Sequence, residues 1–263
     1  MKIWYQTYAN LGVDPRWKNY ADDVRSYIHK VARPDTQIDL YGTIMMSDRM
    51  PDSEYIRYLH VAQVIENALR AEREGYDAFC LGGTLDVGHA VLRDLLDIPV
   101  AFIMESSLHA ACLLARKFGI IAMNESMLQI QMDLVRYHGL LERCVPSEAL
   151  GYDELDIVRL FKEDPNRLTE MFNKISRNLM ARGAGVLLPG FGALSSFLGQ
   201  RNIRHVDGIP ILDMIATLIK TTEMLVDLKK LGVSRTRKGF YTYAKKEDLL
   251  AARKIYGVAT KEV

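Results

Sequence analysis

The chain has 263 residues, 49% apolar and 25% charged, with a formal net charge of +1. That is enough chain for one large or two modest domains of an ordinary soluble globular protein. The near-neutral charge gives no field to recruit nucleic acid, and no apolar run approaches the length of a membrane span.

Residues 2–8 read as an aromatic-rich strand rather than a signal peptide. A helix follows over 17–31, entered through Asp14-Pro15, and then a strand over 37–41. Residues 43–52 read as a loop near the strand ends, and Ser53 opens a long helix that stops at Gly75. A short apolar run, 78–81, reads as a buried strand, followed by a helix over 87–96 and a strand over 99–104. This alternation predicts a parallel sheet. Beyond it come a helix over 106–117, a strand over 118–123, a helix over 125–138 stopped by Gly139, and a possible strand at 143–145. Residues 152–161 predict a short helix, and Asp164-Pro165 starts a longer one ending near Gly183. A strand at 209–212 and a helix over 213–231 returning to the first half complete the pattern. The basic stretch with Arg235, Arg237 and Lys238 reads as a solvated segment or subunit contact.

Two stretches repeat one another. Gly82-Gly83 ends the strand at 78–81, and Gly190-Phe191 ends an apolar run at 186–189. Gly75 pairs with Gly183 and Gly83 with Phe191 at a single offset (191 − 83 = 108), and Ile98-Pro99 is echoed by Ile209-Pro210. Two related α/β lobes are expected, with equivalent strand–turn–helix units facing each other across a cleft. Ligands of open α/β sheets sit at such strand ends, where free N–H groups and the helix dipole suit a carboxylate or enolate oxygen.

Several polar groups are expected near that cleft: Gln6 and Thr7 at the first strand end, Thr84 and Asp86 in the first turn, and Glu105 and Ser106 at the next strand end. His109 lies four residues after Glu105, and His89 three after Asp86, spacings that bring side chains together on a helix. A carboxylate beside a histidine can act as a general base, which makes Glu105 and Asp86 catalytic candidates; capping and packing roles are the competing reading. Thr84 can donate its hydroxyl or cap a helix, and the N–H groups of Gly83, Thr84 and Gly192 can form an oxyanion cradle. Phe191 reads as an apolar pocket wall. The set Asp86, His89, Glu105 and His109 matches no familiar metal site, so neither metal nor cofactor is expected.

The stretches 77–100, 105–111, 183–194 and 232–239, in this order and spacing, resemble the Asp/Glu/hydantoin racemase superfamily, with the hydantoin and allantoin racemase branch nearest. The resemblance implies two pseudo-symmetric three-layer α/β lobes with parallel sheets and an active site between them. Residues 1–104 with 213–263 would form one lobe and 105–212 the other. It further implies a cofactor-independent enzyme acting on a small molecule, and commonly a homo-oligomer. Racemases of this family use two cysteines, one after each repeated strand, as acid and base on opposite faces of a planar carbanion; those positions are Gly83 and Phe191 here. Arylmalonate decarboxylases of the superfamily have glycine at the first position and keep the second cysteine. Of the three cysteines, Cys80 reads as a buried strand residue, while Cys112 and Cys144 lie elsewhere; their spacing suggests neither disulfides nor zinc and fits a reducing cytoplasm. The expectation is a cysteine-less member acting on a small carboxylate or cyclic amide through an enolate or oxyanion. Its reaction would be isomerase-like or, with the thiols lost, hydrolase or lyase chemistry; the alternative is a binding protein that retains the cleft.

Overall fold

The computed structural model describes residues 1–11, 15–44, 53–236, 238 and 246–257. The Asp14 helix entry, the loop reading over 45–52 and the basic position Arg237 lie outside the described residues. The first lobe contains β1 (Lys2–Gln6), α1 (Lys18–Val31), β2 (Gln37–Tyr41), α2 (Glu54–Arg73), β3 (Ala78–Leu81), α3 (His89–Leu95) and β4 (Val100–Phe102). Its sheet is ordered β2-β1-β3-β4 and is parallel throughout. After α4 (Ile103–Leu114) come β5 (Phe118–Ala122), α5 (Glu125–Tyr137), β6 (Glu148–Ala149), α6 (Glu154–Glu163), α7 (Pro165–Ala181), β7 (Val186–Pro189) and α8 (Gly192–Gln200). This second sheet, β6-β5-β7, is also parallel. A small hairpin of β8 (His205–Val206) and β9 (Ile209–Pro210), then α9 (Met214–Lys230) and α10 (Lys246–Ile255), complete the described chain.

The repeat read from glycines is a repeat of backbone geometry. Gly75 and Gly183 end their helices in the left-handed region, at φ 77° and 96°, which costs glycine nothing. After each, the next N–H reaches back to the last turn: Tyr76 N to Ala71 O at 3.0 Å, and Ala184 N to Leu179 O at 3.0 Å. This crossed closure satisfies carbonyls that a helix end leaves open. The register repeats too. Phe79 faces Val100 across β3 and β4, and Leu187 faces Ile211 in an isolated parallel bridge. Ile211 is thus a one-residue remnant of the fourth strand.

Local side-chain caps mark the starts of α2, α5, α7 and α9. Ser53 accepts from Ile56 N, Asn124 from Met127 N, Asp164 from Arg167 N and Asp213 from Ala216 N. The apolar face of α9 packs onto β3, β4 and α4, so this helix crosses back to the first sheet, as its sequence predicts. Among the described residues no helix is long and apolar enough to cross a membrane.

Three element readings need correction. The strand expected to reach residue 104 stops at Phe102, and α4 begins at Ile103 rather than 106. The run 100–104 is uniformly apolar, so its pattern cannot distinguish a buried strand from a buried helix start. What decides it is distant: the Asp86 carboxylate accepts from Met104 N at 3.1 Å and Glu105 N at 2.8 Å, capping α4 from another turn. The possible strand at 143–145 is a single bridge, Phe118 to Cys144. The strand expected over 209–212 divides between β9, paired antiparallel with β8, and the Ile211 bridge.

Candidate active site

The two repeated turns meet. Gly82 N donates to Gln6 O at 2.7 Å and Gly190 N to Ile121 O at 2.9 Å, fixing each turn to the end of its central strand. Residues 83 and 191 then border one narrow cavity of about 40 Å³. A Cβ placed on Gly192 would lie 3.4 Å from Gly82 O and 3.5 Å from the Tyr20 hydroxyl, so backbone meets backbone across the lobes.

Chemistry-bearing groups on the described lining are the hydroxyls of Thr7, Tyr8, Tyr20 and Thr84. Thr7 Oγ1 and the Tyr20 hydroxyl are 3.4 Å apart. The Tyr8 ring covers Gly83: a Cβ there would overlap it. The Tyr8 hydroxyl accepts from Val87 N at 3.1 Å, and burial raises its pKa well above the usual phenol value, so it is a neutral phenol at physiological pH. The N–H groups of Gly83 and Thr84 find no acceptor among the described residues. Helix α8 starts at Gly192 behind Phe191, which supplies no side-chain cap. The positive end of α8 therefore opens on the cavity wall with unsatisfied donors.

Gln131, fully buried on α5, ties the turns together. Its amide donates to Gly190 O on one turn and, at 3.4 Å, to Thr84 Oγ1 on the other.

Of the residues expected at the cleft, Thr7, Gly83, Thr84, Phe191 and Gly192 border it. Others lie elsewhere. Gln6 is buried beneath the strand end: its amide donates to Thr7 O at 2.8 Å, and its Oε1 accepts from Trp4 and Asn67. Asp86 is the distant cap of α4, held at φ 43°. Burial pushes its carboxyl up to about 7, against the pull of the two N–H groups. Glu105, Ser106 and His109 line a separate groove between α4 and α9, of about 610 Å³. They lie on the side of α4 that faces α9.

Glu105 pairs with Arg93 through both carboxylate oxygens and with His89 Nε2 at 3.2 Å. Burial pushes its pKa up, but these partners outweigh that and hold it at about 2. Held there, Glu105 is a weak base. The expected pairing of Asp86 with His89 is replaced by one of His89 with Glu105. His138, thirty-three residues further on (138 − 105 = 33), joins them, and no local spacing announces that contact. Gln131 carries no local signal either. Tyr8 was within reach of sequence reasoning, because it follows Thr7 at the same strand end.

No described thiol borders the cavity. Cys80 is buried in β3, with its pKa raised strongly by burial. Cys112 and Cys144 are partly buried elsewhere.

Residues 18–222 match the family model described as Asp/Glu/Hydantoin racemase. The chain is 28% identical over 227 residues to the hydantoin racemase of Pseudomonas sp. (strain NS671), covering 86% of this chain and 87% of that one. Its fold is similar to allantoin racemase from Klebsiella pneumoniae, with a TM-score of 0.74, 20% identity, and 93% and 94% of the two chains covered. It is also similar to allantoin racemase from Pseudomonas fluorescens, at a TM-score of 0.73, 22% identity, and coverage of 93% and 97%.

Proposed function

The chain belongs to the Asp/Glu/hydantoin racemase family, and on that premise we propose an enzyme that binds a small carboxylate or cyclic amide between the two turns and passes it through an enolate. One observation carries the reading. Residues 83 and 191 border a single cavity whose described lining offers hydroxyls and backbone N–H groups, with neither thiol nor carboxylate. Negative charge developing on a substrate oxygen is met by the N–H groups of Gly83 and Thr84 and by the start of α8, with the Thr84 hydroxyl beside them. The Tyr20 hydroxyl, next to Thr7, delivers the proton to carbon.

A neutral hydroxyl can protonate a strongly basic carbanion but is too weak a base to remove a C–H proton, which favours decarboxylation over exchange between two bases. The C–C bond breaks, its electron pair becomes the enolate, carbon dioxide leaves, and one proton passes from Tyr20 to carbon. Water then reprotonates the phenolate. The hydantoin racemase among the relatives supports the isomerase form of the same chemistry, on a cyclic amide. A second reading, a binding protein without turnover, is favoured by the Tyr8 ring filling the space over Gly83. A homo-oligomer in the reducing cytoplasm completes the proposal, and size-exclusion chromatography with light scattering checks the assembly.

The test is NMR in D2O with a 5-substituted hydantoin and with an aryl-substituted malonate. Deuterium appearing at the hydantoin ring carbon identifies the isomerase. Carbon dioxide release with one deuterium incorporated identifies the lyase. Tyr20→Phe is expected to lower kcat by about a hundredfold, the scale of a lost general acid, with KM little changed. Full activity in that variant removes Tyr20 from the reaction, and binding without turnover supports the second reading.

A further inference from the structure

Away from the cleft, three helices converge on one cluster. His89 opens α3, Glu105 lies in the first turn of α4, and His138 follows the last residue of α5. One ring nitrogen of each histidine and one Glu105 oxygen all lie within 4.8 Å of one another. The His89 and Glu105 side chains are only 11% and 19% exposed. His89 Nδ1 and His138 Nε2 are both buried with no hydrogen-bond partner among the described residues. Burial without a partner disfavours such an atom, and Arg93 already holds the Nε2 side of His89, so it is the unpartnered His138 Nε2 that points to a missing occupant. A cation already stands among these groups: Arg93 Nη1 is 2.7 Å from His89 Nε2 and 2.8 Å from Glu105 Oε1.

We propose that His89, Glu105 and His138 form a site for a divalent transition metal ion of the zinc and cobalt class, and that Arg93 is its displaceable stand-in. Two imidazoles and one carboxylate suit these ions, whereas magnesium and calcium prefer oxygen donors. The cluster needs to contract by a rotamer adjustment to reach metal–ligand distances of about 2.0–2.2 Å. Arg93 has somewhere to go. It lines both the groove between α4 and α9 and the adjoining groove beside Val100 and Leu225, so its guanidinium can withdraw towards water.

The site has a mechanical consequence. It joins α3 and α4, which flank β4, to α5, which flanks the second sheet. On α5, Gln131 lies seven residues before His138, close to two helical turns, so both project from one side. Since Gln131 holds the two turns of the cleft together, an ion on His138 stiffens the helix that keeps the cleft closed.

The test uses the full chain, stripped with a chelator and titrated with Zn2+ by calorimetry and with Co2+ by visible absorption. One equivalent is expected, with d–d bands of low-coordinate cobalt. His89→Ala and His138→Ala should each weaken binding by about tenfold or more. Arg93→Leu should tighten it by about tenfold, since the competing cation is gone. In the unmutated chain, the ring signals of His89 and His138 should shift in NMR on zinc addition, which keeps the test valid if a histidine variant fails to fold. Binding well below one equivalent, affinity indifferent to both histidines, or unmoved His89 and His138 signals overturns the site. Unchanged or weakened affinity in Arg93→Leu overturns the displacement.

Discussion

The Tyr8 ring occupies the space that any side chain at Gly83 would need. The first wall of the cleft is therefore built around the absence of a Cβ. Gly83→Ala is expected to destabilise the chain by about 1–3 kcal/mol, the usual cost of overpacking a filled site. Tyr8→Ala should recover much of that loss, so the two substitutions are strongly non-additive. Denaturant unfolding of the two single variants and the double variant measures the coupling, and simple additivity would place the ring elsewhere.

Gln131 spans the two turns from a fully buried position. Gln131→Leu removes both bonds and the amide together and should cost about 1–2 kcal/mol. The effect should be local as well as global. Hydrogen exchange is expected to accelerate at residues 82–85 and 190–192 more than in β1 or β5. Uniform acceleration would mean that Gln131 serves only as packing.

Asp86 caps α4 at a distance, and its φ of 43° is one that asparagine adopts readily and alanine does not. Asp86→Ala should cost about 1–2 kcal/mol through the lost cap, with backbone strain in addition. Asp86→Asn should cost less. Burial raises this carboxyl to about 7 in the folded chain. The native state thus favours the protonated form, and this contribution is complete below the unfolded value, near 3.8, and lost as pH rises through about 7. Unfolding free energy should fall over that window in the parent and be flatter in Asp86→Asn.

Glu105 has the opposite sign. Its folded pKa of about 2 lies below the ordinary 4.5 because Arg93 and His89 outweigh burial. Its contribution is present above 4.5 and disappears as pH falls towards 2. Glu105→Gln should cost roughly 2–4 kcal/mol at neutral pH, because it leaves Arg93 without its charged partner. Acid unfolding of that variant should show a weaker pH dependence between 4.5 and 2 than the parent.

Much of the architecture was written locally. Glycines stop helices, polar caps start them and short apolar runs make parallel strands, each through interactions within a few residues. Repetition of these signals was enough to foresee two lobes and to place residues 83 and 191 on one cavity. The start of α4 was not legible, because its cap, Asp86, lies some eighteen residues upstream (104 − 86 = 18) and the intervening pattern is apolar. Nor was it legible that Glu105, Ser106 and His109 line the groove against α9 and not the cleft.

The glycine-bounded turns and the glycine and phenylalanine at positions 83 and 191 can be read from the chain alone, because backbone conformation and side-chain identity are local properties. Which groups face them depends on long-range packing. Tyr20, Gln131 and the histidine cluster are assembled by packing between lobes, and a contact between distant segments leaves no periodic trace in either one.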